Sequence, residues 1–188
     1  FLTMNKSDLK LIDDFLPESK AVFETLLKEV AWEEREIKIF GKTYNQPRLI
    51  AWQGDLSYKY SGGTWPASPF SKTVRLLKNA VEMETGATYN GVLLNLYRNG
   101  NDSMGWHSDN EKELGVDPIV ASLSLGEDRV FKIRSNSEKG NSTSLILHNN
   151  SLLVMKAGFQ NLYEHSIPKT RKPKGIRINL TFRKLFEH

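Results

Sequence analysis

The spacing of hydrophobic positions changes about halfway along the chain. In residues 17–30 and 71–85, apolar side chains recur every three or four positions, which predicts two amphipathic helices. Ser71 is a suitable N-cap for the second helix, and Gly86 follows it as a natural stop. Residues 36–60, between the two helices, predict only short strands and turns.

The second half of the chain has the pattern of an all-β unit. Short apolar segments alternate there with clusters of Gly, Asn, Asp, Ser and Pro, which favours a sandwich, a barrel or a jelly roll. The residues His148-Asn149-Asn150 predict a hairpin turn between two of these strands. Six strands are predicted, over residues 92–97, 119–125, 130–134, 144–147, 152–155 and 176–183.

Polar and apolar residues alternate strictly in the last predicted strand. Its Ile, Ile, Leu and Phe side chains share one face, so the polar side chains share the other. An ordinary half-exposed strand has this pattern, and so does a strand that lines a cavity for a dianion, since arginine pairs bidentately with carboxylate. Asn95 and Tyr97 add two polar groups on one face of another strand. The polar face of the last strand consists of Arg177, Asn179, Thr181 and Arg183.

Composition and charge restrict the class of protein. The 188 residues suffice for one domain with a real core, and no apolar run approaches the ~20 residues of a membrane span. Because cysteine is absent, disulfides, thiolate zinc sites and cysteine nucleophiles are excluded. No basic-then-apolar leader is present, so we expect an intracellular protein with no membrane partner. The net charge of +4 and the basic run 169–177 suit either a solvated loop or contact with a polyanion.

Three residues suggest a metal site. His107 and Asp109 are two positions apart, a pair that by itself is more typical of a solvated polar loop. A third ligand, His165, stands 58 positions later, and two histidines with one carboxylate form the facial triad of non-haem Fe(II) oxygenases. Such a triad leaves three positions open for a 2-oxo acid and dioxygen, although a zinc hydrolase can use the same ligands. His148 and His188 are predicted to be surface residues.

Short motifs extend from about residue 39 to residue 185. They are Phe40-Gly41-Lys42, Pro47-Arg48, Gly54-Asp55, Tyr58-Lys59-Tyr60, Asn95-Leu96-Tyr97, His107-Ser108-Asp109, His165-Ser166-Ile167-Pro168 and Arg177-Ile178-Asn179-Leu180-Thr181-Phe182-Arg183. With these motifs in this order, the chain resembles the AlkB-type Fe(II)/2-oxoglutarate-dependent dioxygenases. The resemblance is strongest to the branch that contains the DNA-acting human AlkB homologues.

The resemblance implies a cofactor set and a residue for each role. It implies Fe(II) held by His107, Asp109 and His165, 2-oxoglutarate as co-substrate, and O2. Arg177 matches the arginine that pairs with the distal carboxylate of 2-oxoglutarate. The other matches are Asn95 and Tyr97, which hydrogen-bond the co-substrate, and Asn179 and Arg183, which lie near its oxo-acid end.

The implied reaction is oxidative demethylation of an N-alkylated base. 2-Oxoglutarate becomes succinate and CO2, and the methyl group of 1-methyladenine or 3-methylcytosine leaves as formaldehyde. The target base must be flipped out of the stack. The resemblance places it between His107 and Tyr60, with Tyr58 nearby and Glu111 at the exocyclic amine. Phe40 matches a wedge that enters the duplex.

These substrate contacts have simpler alternatives. The two tyrosines also fit an open sheet surface with alternating aromatic residues, and the phenylalanine fits a buried position in a hairpin.

We therefore expect a mostly β (α+β) protein with a double-stranded β-helix, or jelly-roll, core at residues 91–188. Residues 1–90 are expected to add N-terminal helices and a nucleotide-recognition lid to the same domain. The expected partner is alkylated DNA, and the expected state is a monomer that is cytoplasmic in a bacterium or nuclear in a eukaryote. The alternatives are the same chemistry on RNA, and a non-catalytic metal-containing module that binds damaged DNA.

Overall fold

The computed structural model describes residues 8–39, 42–60 and 63–187. Within these ranges strands greatly outnumber helices. In chain order, the elements are β1 (Leu9–Ile12), α1 (Ser19–Glu29), β2 (Glu33–Ile39), β3 (Lys42–Gly54), β4 (Tyr58–Tyr60), β5 (Gly63–Trp65), α2 (Lys72–Thr85), β6 (Gly91–Tyr97), β7 (Met104–His107), a 3-10 turn (Lys112–Leu114), β8 (Val120–Gly126), β9 (Arg129–Ser135), β10 (Thr143–Leu147), β11 (Ser151–Met155), α3 (Phe159–Leu162), β12 (Tyr163–Ile167) and β13 (Arg177–Arg183).

The described strands form two antiparallel sheets and one small ribbon. The larger sheet has the order β1-β11-β8-β13-β6-β3-β2, and the smaller sheet has the order β10-β9-β12-β7. The ribbon pairs β4 with β5. One apolar cluster joins α1 and α2 to one face of the larger sheet, and a second cluster lies between the two sheets. This arrangement confirms the predicted mostly β, jelly-roll fold.

Strand β13 shows how alternation builds both layers. Ile178, Leu180 and Phe182 belong to the cluster beneath the helices. Arg177 and Arg183 point to the other face and line the cavity between the sheets. Every residue of β13 is buried, so the interpretation of this strand as half-exposed is wrong.

Both predicted helices are present. Helix α1 lies within residues 17–30, and α2 begins and ends where the cap residues predict. The Ser71 Oγ accepts a hydrogen bond from the Val74 N–H at 3.2 Å. Gly86 adopts a left-handed conformation with φ of 69°, which a side chain would strain. The capping residues therefore determined the bounds of this helix.

The six strands predicted in the second half are confirmed to within one residue at each end. Two further strands, β7 and β12, were not predicted. Both are short, at four and five residues, and neither shows an extended alternation of apolar and polar residues. Each of them is held in the sheet because it pairs with a strand that is distant in the chain. Local sequence does not reveal such pairing.

The predicted hairpin at residues 148–150 is wrong. Leu147 ends β10 in the smaller sheet, and Ser151 begins β11 in the larger one, so the turn carries the chain between sheets. Asn150 makes this crossing with a φ of 62°, which asparagine tolerates better than most residues. Its side chain also binds both backbone groups of Leu16, at 2.9 and 2.8 Å.

The prediction of short strands over residues 36–60 is also wrong in part, because β3 is a single strand of 13 residues. Pro47 lies inside this strand. The register shows why proline is tolerated: Leu49 faces Glu34 and Asn45 faces Glu36, so three residues of β3 oppose Arg35 alone. At such a bulge a missing N–H costs no ladder bond.

The boundary predicted at residue 90 stays a prediction, but the two halves share a sheet. Strand β3 pairs with β6 from Leu49↔Leu96 to Gly54↔Gly91. Among the described residues, no helix is long and apolar enough to cross a membrane.

The contacts of Asn150 give a stability prediction. Replacing Asn150 with Ala removes two side-chain hydrogen bonds and leaves an unfavourable left-handed residue. We therefore expect the free energy of unfolding to fall by about 1–3 kcal/mol. Urea unfolding followed by circular dichroism measures this change. Asn141→Ala, in an exposed loop, is the matched control and should stay within about 0.5 kcal/mol of the parent. Equal unfolding midpoints for the two variants would contradict this role of Asn150.

Candidate active site

Strand pairing brings the two distant histidines together. His107 is the last residue of β7, His165 lies in the middle of β12, and the register pairs them directly. Their ring centroids are 4.2 Å apart. Asp109 follows two residues beyond the end of β7. The side chains of these three residues offer ligand atoms that all lie within 4.8 Å of one another.

The surroundings fix the orientation of the imidazole rings. The Nδ1 of His107 lies 2.9 Å from the Gly105 carbonyl oxygen, which can only accept, so Nδ1 carries the proton and Nε2 is left for a metal. The ring of His165 stacks on Phe131 at 5.2 Å. Both rings therefore have neighbours that restrict their rotation.

Asp109 is a buried carboxylate held by an arginine. Its Oδ1 accepts a hydrogen bond from the Arg183 Nη2 at 2.6 Å. Its Oδ2 is buried without a hydrogen-bond partner among the described residues and lies 3.9 Å from the His165 Nε2. Burial favours a higher pKa for this carboxyl, but the opposing charges of Arg183 and the histidines outweigh it and hold the pKa at about 2.

The histidines are held in the neutral form. Burial lowers the pKa of His165 to about 3, with a further lowering by His107. Burial also lowers the pKa of His107, although Asp109 opposes the shift. At neutral pH the site therefore presents one carboxylate and two neutral imidazoles, which are the forms that bind a divalent metal.

These donors fit Fe(II). One carboxylate oxygen and two imidazole nitrogens match the 2-His-1-carboxylate set, and the unpaired Asp109 Oδ2 gives the metal a ready ligand. His148 takes no part, as predicted: its side chain is 53% exposed and its Nδ1 lies 2.8 Å from Asp128. His188 lies outside the described residues.

The predicted co-substrate residues line the same cavity as the triad. Strand β13 places Arg177 opposite Tyr97 and Asn179 opposite Asn95 on β6. The alternation of both strands turns these side chains toward the smaller sheet, where the histidines lie. The five predicted residues that line this cavity are Asn95, Tyr97, Arg177, Asn179 and Arg183.

Arg177 is a buried cation with unused donors. Only 1% of the residue is exposed, and its Nη2 donates to the Ser124 Oγ at 2.9 Å. Its Nε and Nη1 have no hydrogen-bond partner among the described residues. Burial lowers the pKa of Arg177 to about 10, so the guanidinium is still charged at neutral pH. One of these two nitrogens shares an edge of the guanidinium with the second hydrogen of Nη2, so that edge can donate two parallel hydrogen bonds to a carboxylate.

Neighbouring strands hold Asn179 and Arg183 in place. The Asn179 Nδ2 donates to the Ser122 Oγ at 2.7 Å, and its Oδ1 accepts from the Thr181 Oγ1 at 3.0 Å. Arg183 is paired with Asp109, as described above, so it connects the polar wall of β13 with the triad. A role for either residue in binding 2-oxoglutarate stays a prediction.

Comparison with known proteins places this site in a family. The model of the 2OG-Fe(II) oxygenase superfamily matches residues 8–183. Human DNA oxidative demethylase ALKBH2 is 36% identical over 180 residues, which cover 89% of this chain and 69% of that protein. The chain belongs to the 2OG-Fe(II) oxygenases of the AlkB type. Fe(II), 2-oxoglutarate and O2 are the standard requirements of this family, and the triad has the donors that such an iron site needs.

Two further relatives define the extent of the similarity. Bovine alpha-ketoglutarate-dependent dioxygenase alkB homolog 3 is 42% identical over 180 residues, 91% of this chain. The chain spans 63% of the length of that protein. The solved structure of OsALKBH1 superposes with a TM-score of 0.67 at 16% identity, covering 94% of this chain and 96% of that one. At that identity the similarity to OsALKBH1 shows the fold alone.

Within this AlkB-type site, the structure shows the contacts of Arg48, a residue to which the sequence pattern assigned no role. Arg48 is buried, and its Nε donates to the Asn95 Oδ1 at 2.9 Å. Its Nη2 donates to Gln46 and its Nη1 to the carbonyl of Ser103, just before β7. The Pro47-Arg48 motif drew attention to this arginine. Its hydrogen-bond partner Asn95 was not predicted, because it is 47 positions away in the chain.

The predicted base-contact residues are only partly described. Tyr58 is fully buried against Trp52, with ring centroids 4.7 Å apart, so the alternative of an open aromatic surface is wrong for this residue. Its hydroxyl interacts with Glu111, whose pKa is raised by burial and lowered in part by Arg183. Tyr60 ends β4, but its side chain is not described. Phe40 lies outside the described residues.

Proposed function

We propose that this dioxygenase removes N-linked methyl groups from bases in DNA, with 1-methyladenine and 3-methylcytosine as substrates. One observation carries the proposal: the triad and the unused donors of Arg177 line a single buried cavity. The name of the relative ALKBH2, a DNA oxidative demethylase, supports the choice of substrate.

In the proposed complex, separate groups of side chains bind 2-oxoglutarate and Fe(II). Arg177 holds the distal carboxylate of 2-oxoglutarate, while Asn95 and Tyr97 orient its chain toward the triad. Arg183 lies beside Asp109, where it neutralises the oxo-acid end. Fe(II) bound by His107, Asp109 and His165 supplies the activation of O2, coupled to oxidation of the co-substrate.

The proposed reaction balances in atoms and electrons. One oxygen atom of O2 enters succinate, formed with CO2 from 2-oxoglutarate, and the other enters the methyl C–H bond. The resulting N-hydroxymethyl group loses formaldehyde, and the nitrogen of the base recovers its ordinary form. The buried cavity excludes bulk water from these steps.

Recognition of the base requires that the nucleotide leave the stack. In the proposed complex the flipped base lies between His107 and Tyr60. The carboxyl of Glu111 accepts a hydrogen bond from the exocyclic amine next to the methylated nitrogen. Both proposed substrates carry such an amine, which gives Glu111 a role in selecting them.

Electrostatics support a polyanionic substrate. The connection between β12 and β13 exposes Lys169, Arg171 and Lys172 beside the strand that carries Arg177. Exposed cations at this position can contact backbone phosphates, and such contacts supply much of the affinity for nucleic acid. The formal charge of the whole chain is +4.

Mass spectrometry of short oligonucleotides tests the proposed activity. DNA carrying 1-methyladenine or 3-methylcytosine is incubated with protein, Fe(II), 2-oxoglutarate and air. We expect loss of one methyl mass per lesion, dependent on 2-oxoglutarate and absent in His107→Ala, because that variant lacks a metal ligand. RNA of the same sequence is tested alongside.

The outcomes separate the alternatives. Faster demethylation of the RNA would contradict the choice of DNA. Binding of alkylated DNA without succinate formation would contradict catalysis and indicate a damaged-DNA binding module. Steady succinate formation with unchanged DNA and RNA masses would contradict the proposed lesions alone.

A second prediction concerns Arg177. Arg177→Met keeps most of the side-chain volume but removes the charge and both unused donors. We expect the KM for 2-oxoglutarate to rise at least about 10-fold, since charged hydrogen bonds contribute about 1.5–3 kcal/mol each. The KM is measured from the rate of succinate release at increasing concentrations of 2-oxoglutarate. Arg75→Ala, at an exposed position of α2, is the control and should leave this KM unchanged. Equal KM values for parent and Arg177→Met would contradict the assigned role.

A further inference from the structure

Asp109 lies beyond the reach of the strand ladder that positions the histidines. Strand β7 ends at His107, so no sheet hydrogen bond fixes the two residues that follow. Arg183 holds the carboxylate of Asp109, as described above, and two further side-chain contacts hold this segment. The Ser108 Oγ donates to the Tyr163 carbonyl at 2.8 Å, and the Asp109 N–H donates to the Gln160 Oε1 at 2.9 Å.

Gln160 is a buried side chain with both ends of its amide in use. Only 1% of the residue is exposed. The Asp109 N–H can only donate, which assigns the oxygen of the amide to that contact. The Nε2 then points to the Met155 Sδ at 3.3 Å, a weak acceptor at the end of β11. The end of β11 and the segment that carries Asp109 therefore both contact this one side chain.

Gln160 also lies on the segment that leads to the distal histidine. It belongs to α3, which continues directly into β12, and His165 follows five residues later. Its backbone therefore moves with His165, while its side chain holds the backbone of Asp109. The two ligand atoms that this bridge relates, Asp109 Oδ2 and His165 Nε2, are 3.9 Å apart.

We propose that Gln160 is a positioning residue that sets the place of the Asp109 carboxylate relative to His165 and thereby determines the affinity for the metal. The proposal rests on the assignment of the triad to iron, and it is independent of which base is demethylated. Outer contacts that orient metal ligands are commonly worth 10- to 100-fold in metal affinity. Loss of this acceptor leaves the buried Asp109 N–H unpaired, so residues 108–109 shift toward a new partner and the carboxylate leaves its place.

Mn(II) binding to the whole protein, without nucleic acid, tests the proposal. Gln160→Met keeps length and volume but removes the acceptor, and we expect Mn(II) affinity by calorimetry to fall about 10- to 100-fold. Gln160→Glu keeps an acceptor oxygen at the same reach and should restore affinity to within about 3-fold. Leu162→Ala, at an exposed position of α3, is the matched control and should bind Mn(II) like the parent.

A spectroscopic measurement separates positioning from general destabilisation. Visible absorption of bound Co(II) reports ligand geometry, and we expect its bands to change in Gln160→Met and to return in Gln160→Glu. Parent-like Mn(II) affinity in Gln160→Met would overturn the proposal. So would an equal loss of affinity in Gln160→Glu, or a loss in Gln160→Met with an unchanged Co(II) spectrum. A parent protein that binds neither metal would overturn the iron assignment, whereas absence of demethylation with intact metal binding would contradict only the proposed substrates.

Discussion

The buried ion pair between Arg183 and Asp109 connects the metal-binding residues of the cavity with the residues predicted to bind 2-oxoglutarate. Its nitrogen and oxygen are 2.6 Å apart, and both side chains are almost fully buried. With the histidines neutral, the described residues that line the cavity contribute two charged arginines and one aspartate, an excess of one positive charge. Fe(II) adds two positive charges and 2-oxoglutarate adds two negative ones, so their joint binding leaves this excess unchanged. Burial of charge is costly unless it is paired, which favours binding of the two ligands together.

The fold makes this cavity possible by separating polar from apolar residues on the same strands. On β13 and β6, every second side chain packs beneath the helices, while the polar side chains of the opposite face line the cavity. A shift of one residue in register would bury the arginines against α1 and α2. Strands on both sides of β13 hold its register, with six or seven paired residues each. The same sheet that forms the core therefore determines where the co-substrate residues lie.

Local pattern predicted much of this structure, and its failures have a common cause. The two helices, the caps of α2 and the alternation of β13 depend on neighbouring residues, and they were predicted correctly. Strands β7 and β12, the bulge at Pro47 and the crossing at Asn150 depend on partners far away in the chain, and they were missed. The triad was identified because its residue types and motifs are distinctive. Arg48 and Gln160 were not, since their partners are 47 and 51 positions away.

The most direct test of this account is the affinity for 2-oxoglutarate, measured by calorimetry with and without Mn(II). If the cavity balances the charges of both ligands, Mn(II) should strengthen the binding of 2-oxoglutarate at least about 10-fold, which corresponds to a coupling of about 1.4 kcal/mol. By reciprocity, 2-oxoglutarate should strengthen the binding of Mn(II) by the same factor. Equal affinity for 2-oxoglutarate in the presence and absence of Mn(II) would contradict the claim that metal and co-substrate occupy one charge-balanced cavity.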